Sequence, residues 1–321
     1  MIFNPVAGQR DIRRDLQQAM AYLRGQDWQL DLRETRERGE GVGYAEEARE
    51  LGYEVVVAAG GDGTINEVVN GLAGTRVAVG VLPVGTGNVW ALEMGIPTWT
   101  PLRRQHLIEA AKILIDGQVR TVDLGLVNDR YFLLWVGVGL DAEITREVEI
   151  EQQDMKRRLG SFAYGIAAVV VALSFVGTRA TIVIDGRELR QWVLLVLVSN
   201  TQLYAKMFRV AAGARLDDGL LDLCLFRGQG ILSTLRHVVS VVTQQQIQDP
   251  EAEFYQAKRV SIRTAKPLPV QVDGEPMGTT PLDIKVIPQA LRVIVPRDIP
   301  QGLFCQNQKD PKGFRKYLCE P

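Results

Sequence analysis

The residues best suited to chemistry form a glycine-rich run, Gly60-Gly61-Asp62-Gly63-Thr64, that directly follows a short apolar stretch. Glycine lets the backbone turn tightly and approach a ligand with no Cβ in the way. A helix that begins at such a turn points unpaired N–H groups at it, which suits a phosphate. The Asp62 carboxylate disfavours a bare phosphate but suits a magnesium ion or an attacking hydroxyl. The run predicts a phosphate site, although a capped strand–helix turn without any ligand explains the same residues.

Two further loops strengthen the phosphate interpretation. They are Asn4-Pro5-Val6-Ala7-Gly8 and Leu82-Pro83-Val84-Gly85-Thr86-Gly87-Asn88, each placed where a predicted strand ends. Ligands of open parallel sheets bind outside the carboxyl ends of the strands. Three such loops together predict a cradle for the phosphates of a nucleotide. Neither a P-loop nor a Rossmann glycine motif occurs in the required context, which excludes those two nucleotide sites.

Two carboxylate-bearing turns are the other chemical candidates. Asp217-Asp218-Gly219 precedes an apolar run, and Asp273-Gly274-Glu275 follows the predicted strand Val270–Val272. Carboxylates can hold a hard cation, and phosphoryl transfer asks little more of a base than a well-positioned carboxylate. Taken alone, the first is better explained as a polar turn, and the second as an Asp-Gly hairpin turn.

The elements that must position these loops alternate between helix and strand in the first third of the chain, which is typical of a layered α/β domain. Apolar spacing predicts helices at 12–23, 44–51, from 64 onward and at 89–94. Continuous or alternating apolar runs predict strands at 28–32, 54–59 and 77–84.

After about Thr121 the pattern changes to successive strands, which predicts a β-sandwich or barrel-like second domain. Asp185-Gly186 between two apolar runs predicts a hairpin. Helical inserts are expected near 142–176 and 231–248, and the predicted strands are 122–127, 131–138, 180–184, 189–198, 220–226, 259–263 and 291–295. The expected organisation is a nucleotide-binding domain at 1–121, a β-rich acceptor domain at 122–296 and a C-terminal segment with a polar tail at 297–321.

Composition excludes several classes of protein. The 321 residues carry 37 Lys+Arg against 38 Asp+Glu, so the basic excess typical of nucleic-acid-binding proteins is missing. Three cysteines and two histidines cannot build a disulfide framework or a zinc site. No secretory signal is recognisable, and the longest apolar stretch, 159–176, is short for a bilayer span. We therefore expect a cytoplasmic chain in which this stretch forms a buried or surface-lying helix.

The chain resembles the diacylglycerol kinase catalytic-domain family of lipid kinases, which includes bacterial diacylglycerol kinases and the sphingosine kinases. The resemblance runs from Asn4 to about Phe304. It is carried by NPVAG at 4–8, ETRERGEG at 34–41, GGDGTINEVVNGL at 60–72, LPVGTGN at 82–88, RLDDGLLDLCLF at 215–226 and VDGEP at 272–276. GGDG alone is shared with NAD kinases and 6-phosphofructokinases, whereas LPVGTGN, LDDGLLD and VDGE together are far more specific to lipid kinases. The implied fold is an NAD kinase-like α/β domain followed by a β-sandwich-like domain.

The resemblance implies ATP bound between the two domains and a magnesium ion nearby. Magnesium would be held by the Asp218 carboxylate and the backbone carbonyls of Arg215 and Leu220. The residues implied to line the nucleotide are Asn4, Pro5, Val6, Ala7, Gly8, Arg10, Thr35, Gly60, Gly61, Asp62, Gly63, Thr64, Asn66, Glu67, Gly85, Thr86 and Asn88.

The resemblance also implies the catalytic carboxylates. Glu275 is the favoured general base, with Asp273 assisting it. Asp62 is the second candidate, because the sphingosine kinase branch is usually interpreted with the GGDG aspartate as base. Replacing Asp62 or Glu275 with alanine is expected to abolish transfer and to leave the fold intact.

The implied function is that of an ATP-dependent lipid kinase, associated peripherally with the membrane, whose favoured acceptor is diacylglycerol. Lys156-Arg157-Arg158 before the apolar stretch suits anionic headgroups, although a solvated helix start explains it equally well. The alternatives are another GGDG-type kinase such as an NAD kinase, and a nucleotide- or lipid-binding regulator without turnover. The regulator stays open because residues 203–212 lack the glycine pair and proline often found there in the family. No feature identifies a self-complementary surface, so a homodimer also stays open.

Overall fold

The computed structural model describes residues 1–8, 12–151, 175–204, 206, 208–243 and 245–305. Four sequence-based predictions lie wholly or largely outside these residues. They concern Arg10, the Lys156-Arg157-Arg158 cluster, the apolar stretch 159–176 and the polar tail.

The first half is a parallel sheet with helices packed against it. Its strands lie side by side in the order β4–β3–β1–β2. Helix α1 packs against α5, and α2 against α3. The strands are β1 (Ile2–Phe3), β2 (Arg33–Glu34), β3 (Val55–Gly60) and β4 (Ala78–Pro83). The helices are α1 (Arg13–Arg24), α2 (Glu40–Glu50), α3 (Asp62–Leu72), α4 (Val89–Glu93) and α5 (His106–Asp116).

The second half is mostly antiparallel. Its strands are β5 (Gln118–Val127), β6 (Arg130–Phe132), β7 (Trp135–Gly139), β8 (Thr178–Ile184), β9 (Arg187–Ser199), β10 (Leu203–Tyr204), β11 (Phe208–Arg209), β12 (Leu221–Arg227), β13 (Ala252–Ala257), β14 (Arg259–Thr264), β15 (Pro269–Val272), β16 (Glu275–Thr279) and β17 (Leu282–Val295). The helices are α6 (Leu140–Glu151), α7 (Ile231–Val242) and the 3₁₀ turn Gln246–Gln248. A continuous antiparallel path runs β16–β15–β7–β9–β8–β14–β17.

Strand β17 connects the two halves. Its first part pairs with β14, its last part runs parallel to β4, and β5 pairs with it at both ends. Backbone hydrogen bonds therefore continue from the parallel sheet into the antiparallel one. The predicted fold class, an α/β domain followed by a β-rich domain, is confirmed.

Most predicted elements are present, with shifted ends. The Asp185-Gly186 hairpin is confirmed, because Ile184 pairs with Arg187 across it. The predicted strand at 28–32 is wrong: β1 is only two residues long and pairs with Arg33 and Glu34, which leaves 28–32 without a partner strand. Helix α5 and strands β13 and β16 were not anticipated from the sequence.

The predicted single strand 131–138 is in fact two strands, β6 and β7, with a break at Leu133-Leu134. The backbone N–H groups at this break donate to the Asp273 carboxylate instead of to a neighbouring strand. A buried carboxylate thus interrupts an otherwise strand-forming apolar run.

Both halves have extensive apolar cores. One buried cluster packs the first-half helices against their sheet and extends to β17, and a second fills the interior of the antiparallel part. Among the residues that the structure describes, no helix has both the length and the apolar composition needed to cross a bilayer.

Candidate active site

The three glycine loops meet at the carboxyl ends of β1, β3 and β4, which are adjacent in the parallel sheet. A Cβ on Gly85 would lie 2.4 Å from the Gly61 Cα, so these two loops touch backbone to backbone. A Cβ on Gly8 would lie 2.5 Å from the Val84 carbonyl oxygen, and Gly8 has a φ of +81°. Only glycine permits this spacing, because any larger residue would push the loops apart.

A side-chain hydrogen bond ties the first loop to the start of α3. The Asn4 Nδ2 donates to Thr64 Oγ1 at 3.3 Å, and the Asn4 Oδ1 accepts the Val6 N–H at 3.1 Å. Gly60 packs against the Thr64 side chain, since a Cβ on Gly60 would lie 2.3 Å from Thr64 Oγ1. The first and second loops are therefore held as one unit around the N-terminus of α3.

Asp62 occupies the first position of α3, but its carboxylate binds the N-terminus of α4. Its two oxygens accept the backbone N–H groups of Val89 at 3.0 Å and Trp90 at 3.1 Å. Burial raises the pKa of Asp62, and these two hydrogen bonds and the charge of Lys206 partly oppose that rise. Both carboxylate oxygens are thus engaged in fixing the third loop against the second.

The first and third glycine loops border a cavity of about 850 Å³ on the side of α1. Its polar and charged walls include Asp15, Arg104 and Lys206, and its apolar walls include Ile12 and Trp99. The full lining is Gly8, Ile12, Asp15, Val84, Gly85, Thr86, Gly87, Asn88, Leu92, Thr98, Trp99, Arg104, His106 and Lys206.

Some residues expected to line the nucleotide form hydrogen bonds with backbone groups of the protein instead. The Glu67 carboxylate accepts the N–H groups of Gly39 at 2.8 Å and Gly41 at 2.9 Å, and so caps α2. Thr35 is buried, and its backbone N–H donates to the Phe3 carbonyl at 2.8 Å. In the structure, both residues therefore bind the backbone of neighbouring segments.

The third loop has a locally determined shape. Asn88 adopts a left-handed conformation with a φ of +54°, and its Nδ2 donates to the Gly85 carbonyl at 2.6 Å. Thr86 is exposed, and its carbonyl accepts a hydrogen bond from the Lys206 ammonium. A cation from the second half therefore lies on the predicted phosphate cradle.

Lys206 belongs to the segment 203–212, which departs from the family pattern. The Leu203 backbone N–H donates to the Glu93 carboxylate at 2.7 Å, and the Gln202 N–H does so at 3.2 Å. Burial raises the pKa of Glu93, against the effect of these hydrogen bonds. The divergent segment is thus joined to α4 and to the third glycine loop.

Glu275 reaches the cradle from the other side. A Cβ on Gly63 would lie 3.0 Å from the Glu275 Oε1. The Glu275 Oε2 lies 2.8 Å from the Arg38 Nη2 and 2.5 Å from the Arg130 Nη2. Burial would raise the pKa of Glu275, but the hydrogen bonds and charges of the two arginines outweigh burial and lower it. The carboxylate is therefore ionised at neutral pH, with one oxygen bound by arginines and the other facing the glycine loop.

The Asp273 side chain is buried, and both of its carboxylate oxygens accept hydrogen bonds. Its oxygens accept the backbone N–H groups of Leu133, Leu134 and Trp135 at 2.9 to 3.0 Å and the Asn66 Nδ2 at 2.7 Å. Burial raises its pKa to about 6, although these four donors oppose the rise. Asp273 connects the VDGE turn to α3 and to the start of β7, and these contacts hold the turn in position.

The VDGE segment is both a hairpin turn and part of the site. Val272 pairs with Glu275, and Asp273 and Gly274 have φ values of +50° and +83°, as in a two-residue type I′ turn. The Gly274 N–H donates to the Gln271 side chain at 2.7 Å. The turn geometry is what delivers Glu275 to the glycine loop, so the two interpretations of this motif are compatible.

Asn66, expected at the nucleotide, lies among the carboxylates. Besides its bond to Asp273, its side-chain oxygen accepts a hydrogen bond from Arg130 at 2.9 Å. Asn66 is buried in the second turn of α3. It therefore links the aspartate that positions the turn to an arginine that binds Glu275.

The Asp218 segment is attached to a different part of the chain. The Asp218 carboxylate accepts the Leu220 N–H at 3.0 Å, while Asp123 of β5 accepts the Gly219 N–H at 2.6 Å. Burial raises the pKa of Asp218 to about 6, and the nearby charge of Asp123 raises it further. Burial and the Asp218 charge raise the pKa of Asp222 to about 7. These carboxylates form an acidic group beside β5.

Sequence reasoning missed three cations of the site. Arg38 lies within the ETRERGEG segment, so its neighbourhood was marked although its role was not. Arg130 and Lys206 stand in no motif, and only the tertiary fold brings them to Glu275 and Thr86.

Comparison with known proteins gives consistent matches over most of the chain. Residues 1–127 match the family model described as the diacylglycerol kinase catalytic domain, and residues 135–295 match the YegS C-terminal NAD kinase beta sandwich-like domain. A diacylglycerol kinase of Bacillus subtilis (strain 168) is 30% identical over 305 residues, covering 94% of this chain and 98% of that protein. One from Staphylococcus carnosus (strain TM300) is 29% identical over 302 residues, covering 93% of this chain and 95% of that protein.

Solved structures agree with the sequence matches. The crystal structure of a diacylglycerol kinase from Bacillus anthracis str. Sterne superposes with a TM-score of 0.71 at 25% identity. The superposition covers 92% of this chain and 95% of that chain. The α/β domain followed by a β-sandwich-like domain is thus common to both.

Proposed function

The chain belongs to the diacylglycerol kinase catalytic-domain family, and from this premise we propose that it transfers the γ-phosphoryl group of ATP to a lipid hydroxyl. The favoured acceptor is diacylglycerol, which would give phosphatidic acid. The observation that carries the proposal is the close approach of Glu275 Oε1 to Gly63, because it puts an ionised carboxylate at the edge of a predicted phosphate cradle.

In this proposal the glycine loops hold the phosphates. The first turn of α3 offers backbone N–H groups and the positive end of the helix dipole. Lys206 adds a positive charge at the third loop, and Arg38 and Arg130 add two more beside Glu275. Charge is thus available where phosphoryl transfer needs it most.

Glu275 is the proposed general base. Its Oε1 would accept the proton of the lipid hydroxyl as the oxygen bonds to the γ-phosphorus and the bond to the β-phosphate oxygen breaks. The low pKa makes Glu275 a weak base but keeps it ionised, which suffices when the transition state is loose. Asp62 and Asp273 would act by positioning, because their oxygens already accept backbone N–H groups.

The acidic group beside β5 fits a magnesium ion by its chemistry. Asp218, with the backbone carbonyls of Arg215 and Leu220, would supply the hard oxygen ligands that magnesium prefers. Among the described residues no three His, Cys, Asp or Glu side chains form a metal-binding group, so carbonyls and water must complete the shell. Magnesium bound there would offset the carboxylate charges, and magnesium carried with ATP would offset charge on the phosphates.

The acceptor would come from a membrane, with the protein working in the cytoplasm and contacting the lipid surface peripherally. Diacylglycerol is the first choice because it is the substrate in the names of the relatives with the same domain organisation. Sphingoid bases and phosphatidylglycerol carry hydroxyls of the same chemistry and belong in the same experiment.

The test is transfer of labelled γ-phosphate from ATP in the presence of magnesium. The acceptors are a mixed-micelle lipid panel and, separately, NAD, with the products resolved by chromatography. A labelled lipid is the expected product, and labelled phosphatidic acid would identify diacylglycerol as the acceptor. Labelled NADP would overturn the lipid assignment.

The non-catalytic alternative has its own outcome in this experiment. ATP binding measured by calorimetry, together with no labelled product from any acceptor, would indicate a nucleotide-binding regulator and contradict the kinase proposal. Glu275→Gln and Glu188→Gln are the matched pair of variants, because Glu188 is an exposed glutamate that also pairs with an arginine.

A further inference from the structure

An exposed turn between α4 and α5 carries an apolar side chain at its tip. The Arg103 N–H donates to the Thr100 carbonyl at 3.0 Å and to the Thr100 side chain at 3.1 Å, which closes a turn with Pro101 and Leu102 between them. Proline suits the second position of such a turn, but its companion is normally polar. Leu102 is instead 100% exposed.

The same turn holds an aromatic and two basic residues. Trp99 is 38% exposed, and Arg103 and Arg104 are exposed as well. Tryptophan is the residue enriched at membrane–water interfaces, and arginines there attract anionic headgroups. The acidic groups nearby are Glu109, which lies 3.2 Å from Arg103, and Asp15 in the cavity wall.

The turn also borders the cavity beside the glycine loops. Trp99 and Arg104 line that cavity, which has a second cation in Lys206. A surface that received Leu102 would therefore lie close to residues that line the cavity. An enzyme that takes its acceptor from a bilayer needs such a placement.

We propose that the turn Thr98–Arg104 docks on an anionic lipid bilayer, with Leu102 inserted among the acyl chains and Trp99, Arg103 and Arg104 at the headgroups. The proposal rests on the proposed function, because docking matters to a kinase whose acceptor is a membrane lipid. A single protruding leucine followed by two basic residues fits a fluid, negatively charged surface better than it fits a flat protein partner.

The structure offers a competing apolar surface, which provides the control. Helix α7 exposes Ile231, Leu232, Leu235 and Val239, with Leu232 84% exposed. Leu102→Ser and Leu232→Ser are therefore matched substitutions of exposed leucines in two separate places. Neither residue lines the cavity or contacts the carboxylates.

The experiment is flotation of the full chain with vesicles of phosphatidylcholine and phosphatidylglycerol, compared with vesicles of phosphatidylcholine alone. We expect wild type to bind the anionic vesicles and Leu102→Ser to bind them about tenfold more weakly. Arg103→Gln should weaken this binding about fivefold and leave binding to neutral vesicles unchanged. Leu232→Ser should bind like wild type.

Three results would overturn the proposal: no binding of wild type to anionic vesicles, equal binding by Leu102→Ser, or a loss confined to Leu232→Ser. Transfer of phosphate to a soluble short-chain diacylglycerol separates docking from catalysis. Leu102→Ser should retain wild-type turnover on that acceptor. Turnover without vesicle binding would contradict docking alone, whereas vesicle binding without any turnover would contradict the kinase proposal alone.

Discussion

The Oε1 of Glu275 lies so close to Gly63 that a Cβ on residue 63 would be 3.0 Å from it. Gly63 belongs to the first turn of α3 in the parallel half, and Glu275 begins β16 in the antiparallel half. The two parts of the chain thus contribute one loop of the predicted phosphate cradle and one carboxylate to the same point. That relationship makes the function of Glu275 directly testable.

Replacing Glu275 with glutamine should lower kcat at least about a hundredfold, because the amide cannot accept the hydroxyl proton. The glycine loops are untouched, so ATP should bind with an affinity close to that of wild type. Steady-state kinetics and calorimetry measure the two quantities. Glu188→Gln, on an exposed hairpin, is the control and should match wild type. Turnover by Glu275→Gln within a fewfold of wild type would rule Glu275 out as the base.

Removing Arg130, an arginine partner of Glu275, should change the pH dependence of kcat/KM. The positive charge of Arg130 favours the ionised carboxylate, whereas burial favours the neutral acid. In Arg130→Gln the burial remains and one opposing charge is lost, so the pKa of Glu275 must rise. The acidic limb of the kcat/KM profile should therefore move to higher pH.

Arg190→Gln is the control for this profile, because Arg190 pairs with Glu188 on the exposed hairpin. It should leave the acidic limb where it is in wild type. An unchanged limb in both variants would mean that Glu275 does not control the protonation step.

The sequence predicted the glycine loops well because each depends on local chemistry. Gly8, Gly61 and Gly85 stand where strands of one parallel sheet end, and that edge is set by the order of the elements. The sequence could not predict which hydrogen-bond partner each polar side chain has. Asp62 and Glu67 carry the polarity expected of ligand contacts, yet both accept backbone N–H groups of neighbouring helices.

Long-range pairings explain the remaining differences. Asp273 interrupts the run 131–138 from far along the chain, and no pattern within that run marks the break. Arg130 meets Glu275 only because the hairpin β15–β16 folds beside β7. Periodicity records how one element faces the core, whereas these contacts depend on which elements become neighbours.

Asp273→Asn should destabilise the protein by about 2 to 4 kcal/mol. An asparagine has one oxygen, so its NH₂ group would face backbone N–H donors that now bind a carboxylate oxygen. Urea unfolding followed by circular dichroism measures the change. Asp283→Asn, at an exposed position of β17, should be neutral, and equal stability of the two variants would contradict this assignment.

Asp62→Ala should reduce both stability and turnover, contrary to the expectation that the fold stays intact. The substitution leaves the N–H groups of Val89 and Trp90 without their carboxylate, which should cost about 2 kcal/mol. Thermal unfolding measures the stability, and phosphate transfer assayed well below the unfolding temperature of the variant measures the turnover. A variant as stable as wild type but without turnover would instead favour Asp62 as the base.

The contact between Gly85 and Gly61 predicts how the cradle responds to a single methyl group. A Cβ on residue 85 would meet the Gly61 Cα at 2.4 Å, and backbone cannot move aside as a flexible side chain can. Gly85→Ala should therefore separate the second and third loops and weaken ATP binding at least about tenfold, because the N–H groups proposed to bind the phosphates would no longer converge. Gly43→Ala is the matched control, since its Cβ would meet nothing within 4 Å on an exposed face of α2. That variant should bind ATP like wild type and be more stable by up to about 1 kcal/mol, because alanine favours the helix. Calorimetric titration with ATP measures both affinities. Undiminished binding by Gly85→Ala would show that the phosphates do not depend on the junction of these two loops.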